Sequence, residues 1–183
     1  LQKFFVYSIM NYEDKMNKHT VIFDLDGTIA DIEIRRKKSI KPNGKMDWDI
    51  FFHPDNIKYD KPIPAIVNLI QTYEDKAYKI VIFSGRNDRS WNETIAWLKR
   101  YEIPFDLLVM RPDKFKSKSS PVADGNPATG DMRFMPDEIL KKKMLDEFVD
   151  IDDVLFVVDD RNKVVEMWRE LGLVVLQPAP GDF

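Results

Sequence analysis

From residue 20 onward, short apolar runs rich in Val, Ile and Phe alternate with stretches whose apolar residues recur every three or four positions. The runs fall at 20–25, 79–83, 107–110, 153–158 and 173–176, and each reads as a β-strand. Between them, Ile63, Ile66, Val67, Ile70 and Tyr73 share one face of a helix predicted over 63–76. Trp91, Ile95 and Leu98 do the same over 91–100, and 136–148 and 164–171 continue the series. Strands and helices in this alternation predict a three-layer α/β architecture, a mostly parallel sheet with the helices as crossovers. Pro136 suits the first turn of its helix, and Gly172 stops the last one before a strand begins.

Two segments break the rhythm. Residues 33–62, which include Met46-Asp47-Trp48-Asp49-Ile50-Phe51-Phe52, form a long insertion between the first strand and its helix. An insertion there overhangs the carboxyl end of the strand, where α/β sheets bind ligands, so it is read as a small cap. Residues 111–135, rich in Ser, Pro, Gly, Asp and Lys, read as a long mobile loop. Residues 1–19 stand apart from a domain-sized unit at 20–183. They are read as an upstream extension, an alternative start or an extra element packed on the domain.

Composition narrows the chemistry. With 183 residues, 44% of them hydrophobic, the chain can close one sizeable core. It has no cysteine, which removes thiolate catalysis, cysteine-based zinc sites and disulfides, and suits a cytoplasmic setting, or a host cell's cytoplasm if the source is viral. The apolar run Phe4–Met10 is too short to span a bilayer and lacks a cleavage pattern, so neither a membrane anchor nor a signal peptide is expected. A net charge of -3 gives no global attraction to nucleic acid. Basic residues still gather locally, in Arg35-Arg36-Lys37-Lys38 with Lys41 and Lys45, and at Arg111, Lys114, Lys116 and Lys118. Each cluster is either a phosphate-binding surface or a set of solvated loop charges.

Candidate chemistry sits at the strand ends. Asp24-Leu25-Asp26-Gly27-Thr28 follows Val21-Ile22-Phe23, and a turn at Gly27 leaves two carboxylates at a strand's carboxyl end. An acidic turn would explain them too, whereas a calcium loop would need regularly spaced oxygen ligands and a closing Glu that are missing. Phe83-Ser84-Gly85-Arg86-Asn87 ends a second strand, where a hydroxyl and free amides at a helix start would cradle phosphate oxygens. Val157-Val158-Asp159-Asp160 delivers two adjacent acids whose mutual repulsion calls for a cation, and an oxygen-only set favours magnesium. A helix cap would account for Asp160 but poorly for Asp159. Lys141, Lys142 and Lys143 follow Asp137 and Glu138 on the intervening helix.

The order Asp-x-Asp, Ser, Lys, Asp-Asp resembles the haloacid-dehalogenase-like phosphatase superfamily and its Rossmann-like fold. A two-component receiver domain places its acidic pair before the phospho-accepting Asp, the opposite order. The run from Asp159 to Arg169, then Gly172, Gln177 and Gly181-Asp182-Phe183, is similar to the phosphatase half of T-even phage polynucleotide kinase/phosphatases. The resemblance covers roughly 20–183, although the insertion after Arg35 is longer here. It implies that Asp24 is the nucleophile, Asp26 the general acid and base, and Lys141 a charge-stabilising residue. It implies phosphate or substrate binding by Thr28, Arg35, Ser84, the Gly85 amide, Arg86 and Arg133, with Asp137 orienting Lys141 or Arg86. Magnesium would be held by Asp24, the main-chain carbonyl of Asp26, and Asp159 or Asp160. The implied substrate is a 3'-phosphate on DNA or RNA, and the implied partners are a separate kinase or ligase. A small-molecule nucleotidase and a non-catalytic phosphate-binding module are the alternatives, the latter disfavoured because a binder needs no acid/base pair. Gly44-Lys45 lacks the earlier glycine and the Ser/Thr of a phosphate loop, so no kinase activity is expected.

Overall fold

The computed structural model describes residues 5–8, 19–112, 132 and 135–181. Six strands form one sheet in the order β1-β6-β5-β2-β7-β8. They are β1 (Phe5–Ser8), β2 (Thr20–Asp24), β5 (Lys79–Asn87), β6 (Leu107–Arg111), β7 (Val154–Val158) and β8 (Val175–Leu176). All neighbours are parallel except β1, which pairs antiparallel with β6 and so makes residues 5–8 an edge strand. The two remaining strands, β3 (Ala30–Asp31) and β4 (Lys61–Pro62), pair antiparallel as a separate ribbon.

The three layers follow from the two-residue period of the strands. Val21 and Phe23 of β2, with Ile80 and Ile82 of β5, face Ile66 and Ile70 of α3 (Pro64–Asp75) and Trp97 and Leu98 of α4 (Trp91–Arg100). Ile22, Val81, Phe83 and Val157 face the other way. They pack against Leu140, Met144 and Leu145 of α5 (Asp137–Phe148) and Val164, Val165 and Trp168 of α6 (Asn162–Glu170). The two helices missing from this account, α1 (Glu33–Lys38) and α2 (Trp48–Phe51), lie with the 3-10 turn Pro54–Tyr59 between the strands of the small ribbon.

The chain winds from β2 through β5 to β6, then returns to the opposite side of β2 with β7 and β8. Strand order therefore reverses at β2, and in open α/β sheets such a reversal opens a crevice at the strands' carboxyl ends. Three details differ from the sequence expectation. β5 continues through Ser84 to Asn87, with a register shift against β6 between those residues, so Ser84 lies inside the strand rather than at its end, while α4 spans Trp91–Arg100 as read. Pro136 is the N-cap of α5 rather than a residue of its first turn. Most of the segment read as a mobile loop, 111–135, and with it Arg133, lies outside the described residues. Gly172, at φ +84°, follows the end of α6 as read. No helix among the described residues is long and apolar enough to cross a membrane.

Ile70 is fully buried on α3, far along the chain from every strand end that carries chemistry. Ile70→Ala should lower unfolding free energy by about 2–5 kcal/mol in urea titrations.

Candidate active site

Asp24 closes β2 with the parity of Ile22, so its carboxylate points to the α5–α6 side of the sheet. There Lys141, on α5, places Nζ 2.5 Å from Asp24 Oδ1 and 2.7 Å from Asp159 Oδ2. The ammonium is buried, as are both carboxylates. Burial would lower the Lys141 pKa, but Asp159 and Asp24 outweigh it and hold the amine charged. Lys142, one residue on, instead pairs with Asp146 in solvent.

Asp160 completes the acidic cluster. Ligand oxygens of Asp24, Asp159 and Asp160 all lie within 4.8 Å of one another. Burial is the main force raising the Asp24 carboxyl well above its usual range, against the pull of Lys141. Asp160 is pushed up to about 6, first by burial and then by Asp159. One oxygen, Asp24 Oδ2, is buried with no hydrogen-bond partner. An orphaned carboxylate oxygen inside a three-acid, all-oxygen cluster fits a hard divalent cation such as magnesium, with no His or Cys to favour zinc. The carboxylate of Asp26 is not in this cluster.

The loops that hold these acids are tightly placed. Gly27, at φ +94°, lies so close to the Asp160 carboxylate that a Cβ would collide with it. Thr28 donates its hydroxyl to Asp160 Oδ1 at 3.3 Å, and Trp168 donates its indole N–H to Asp159 Oδ2 at 3.3 Å. From behind, Gln177 Nε2 bonds the Asp160 carbonyl at 2.9 Å and Asn162 Oδ1 at 2.7 Å. Asp160 is not the cap of α6, whose N-cap is Arg161.

Asp26, two residues on from Asp24, belongs to a different constellation. Its Oδ1 accepts from Arg35 at 2.7 Å and also from Arg86. Burial opposes its charge, yet Arg35 and Arg86 prevail and hold its carboxyl well below the usual carboxylate range. The same two arginines are bridged from the far side by Asp60, with Arg35 Nε at 2.9 Å and Arg86 NH2 at 3.0 Å. Burial pushes Asp60 up to about 6, against the pull of Arg86. Arg86 also bonds Thr94 of α4 at 3.0 Å, Arg35 bonds the Phe51 carbonyl at 3.2 Å, and the Trp97 indole N–H bonds the Asp60 carbonyl at 3.0 Å. Asp60 was not singled out in the sequence. Its position between Tyr59 and Lys61 looks like any loop acid, and only its place beside β4 brings it under both guanidinium groups.

Asp137 differs from its expected role. Its carboxylate, expected to orient Lys141 or Arg86, accepts from Arg111 and Arg161 and lies against Gly85 of β5, where an added Cβ would meet it. Arg111 also bonds the Gly85 carbonyl at 3.0 Å and the carbonyls of Met132 and Met135, both at 2.7 Å. Ser84 is buried, and its hydroxyl accepts the Arg86 backbone N–H at 3.1 Å. Asp24, Asp26, Gly85, Arg86, Asp137 and Lys141 all border one cavity of about 860 Å³, roofed by Met46, Trp48, Phe51 and Phe52.

Two outcomes follow from these charges. Asp160, with its pKa raised to about 6, is mostly protonated below that pH and must shed the proton to bind a cation. Magnesium should therefore raise Tm more at pH 7.5 than at pH 5.5 in a thermal-shift titration, and Asp160→Asn should remove most of the gain. Asp60→Ala would leave two buried guanidinium groups undercompensated, and urea denaturation should show a loss of about 3–5 kcal/mol.

The match to known proteins agrees with this geometry. Residues 18–183 match the family model described as the polynucleotide kinase PNKP phosphatase domain. Among solved structures, the chain is similar to one in the structure of the Pnkp1/Rnl/Hen1 RNA repair complex, at 28% identity and a TM-score of 0.64 over 90% of this chain. It spans 43% of that longer protein. A predicted phosphatase from Clostridium acetobutylicum shares the fold, at 15% identity and a TM-score of 0.62 over 87% of this chain and 84% of that one. With its motifs, its sheet and the family match over nearly all of its length, the chain belongs to the PNKP phosphatase-domain family of haloacid-dehalogenase-like phosphatases.

Proposed function

We propose that this chain removes 3'-phosphates from DNA or RNA ends, as a magnesium-dependent phosphomonoesterase that forms an aspartyl-phosphate on Asp24. The observation that carries the reading is the orphaned Asp24 Oδ2, aimed from the central strand into an acidic cluster while its partner oxygen is held by Lys141. The nucleic-acid substrate is supported by the family match and by the RNA repair complex in which a 28%-identical relative sits. A separate kinase or ligase would complete such a repair route.

Asp24, Asp159 and Asp160, with the main-chain carbonyl of Asp26, would hold the magnesium ion. When bound, the ion supplies positive charge that offsets the repulsion between a carboxylate and a dianionic phosphate. Lys141 adds to that charge and opposes the burial that raises the Asp24 carboxyl. Asp24 then forms a bond to phosphorus through a carboxylate oxygen as the bond from phosphorus to the sugar oxygen breaks. Asp26 gives its proton to that leaving oxygen. In the second half, Asp26 takes a proton from water, the water oxygen attacks phosphorus, and the bond to Asp24 breaks to release phosphate.

Arg35 and Arg86 hold Asp26 as a carboxylate, which suits the second half of the reaction. For the first half, the arriving phosphate competes for these guanidinium groups and loosens their hold, so that Asp26 can carry a proton. Ser84, the Gly85 amide and Arg86 would bind the phosphate oxygens, while Thr28 bonds Asp160, and Asp137 ties Arg111 to Arg161. Arg133 is kept as a substrate contact.

A phosphate-release panel tests the reading with 3'-phosphorylated DNA, 3'-phosphorylated RNA and 3'- and 5'-mononucleotides, with magnesium and with chelator. The 3'-phosphorylated oligonucleotides should be hydrolysed only with magnesium, and Asp24→Asn should cut turnover by about 10⁴-fold or more. Turnover of mononucleotides with oligonucleotides untouched would instead identify a small-molecule nucleotidase.

A further inference from the structure

The cap carries an aromatic group that the chemistry of phosphate transfer does not use. Trp48 is 54% exposed, an unusual place for the largest apolar side chain, and it borders the same cavity as Asp24 and Lys141. Its ring stacks on Phe52, with centroids 5.8 Å apart and planes 19° from parallel, and meets Phe51 edge-on at 5.6 Å. Phe51 in turn lies under the Arg35 guanidinium, 4.3 Å from its ring centroid, and Arg35 bonds Asp26. A line of contacts therefore runs from the proton-carrying carboxylate to the exposed indole.

The shelf is held rigidly. Asp47 caps α2 through the backbone N–H groups of Asp49 and Ile50 at 3.1 and 3.2 Å, and Lys41 pairs with Asp47 at 3.3 Å. Arg89, beyond the end of β5, bonds the carbonyls of Asp49 and Phe52 at 3.2 and 3.3 Å and so ties α2 to the catalytic layer. A four-residue helix with Trp48 and Ile50 both exposed has no folding reason to be pinned so firmly.

Charge selects the occupant. Residues 33–62 contain eight lysines and arginines against five acids, in a chain whose net charge is -3. Arg36 and Arg89 border the same cavity as Trp48, and guanidinium groups beside an exposed aromatic face, at the mouth of a phosphate site, match a single-stranded polyanion whose bases stack while its backbone is attracted. We propose that Trp48, backed by Phe52, is the stacking platform for the unpaired terminal nucleobases of the strand that bears the phosphate. This rests on the 3'-phosphatase reading above and gives that site its preference for single-stranded ends.

Steady-state kinetics on two 3'-phosphorylated oligonucleotides tests the assignment, one with normal bases and one abasic at its last two positions. For the wild-type protein the abasic oligonucleotide should show a KM about tenfold higher. Trp48→Ala should raise KM about tenfold on the base-bearing oligonucleotide, leave kcat within about twofold, and change neither parameter on the abasic one. Trp48→Phe, which keeps a ring, should stay near wild type. Equal losses on both substrates, or no change on either, would overturn the platform, the second outcome being the one expected if the shelf docks a protein instead. If the wild-type protein hydrolyses neither oligonucleotide, the 3'-phosphatase reading fails first and this assignment falls with it.

Discussion

The ammonium of Lys141, wedged between Asp24 and Asp159, is the contact on which the site depends. Three carboxylates at the end of a hydrophobic sheet repel one another and lose hydration. A single buried cation lets Asp24 and Asp159 approach, and removing one member of such a buried set is costly because the others are left uncompensated. Topology makes the contact possible. Asp24 shares the face of Ile22, and α5 is the crossover that covers that face before the chain enters β7.

Beside this cluster stands a second charge system with opposite logic. Asp26 is surrounded by Arg35 and Arg86, and Asp60 closes the square from the cap side. Two neighbouring acids are thereby driven apart in behaviour: Asp24 is destabilised as an anion by burial, and Asp26 is stabilised as one by two guanidinium groups. Such a division of labour between close carboxylates is how a site assigns one to attack and the other to move protons. Because Arg35 comes from α1 and Asp60 from the start of β4, the insertion is part of this square and not only a cover over it.

Much of the fold was legible because burial leaves a periodic trace. The apolar runs at 20–25, 79–83, 107–110 and 153–158 each coincide with a strand, and Ile66 and Ile70 face the core as their helical spacing implies. The length of β5 was not legible, since Ser84-Gly85 reads as a strand end and only pairing with β6 carries the strand to Asn87. β1 was one of several readings of residues 1–19, because Phe5-Val6-Tyr7-Ser8 becomes a strand only when an edge is there to receive it.

For the site, the sequence by itself determined which acids stand at strand ends, since Asp24, Asp26, Asp159 and Asp160 each follow an apolar run that must be buried. It also placed a lysine helix between them. Only the tertiary structure decided that Lys141 is enclosed while Lys142 is solvated, that Asp137 serves Arg111 and Arg161, and that Asp60 bridges Arg35 and Arg86. The reason is physical: position along a strand or helix is a local property that hydrophobic periodicity records. The pairing of charges between residues 18 to 117 positions apart is set by which faces the packed layers bring together, and no local pattern encodes it.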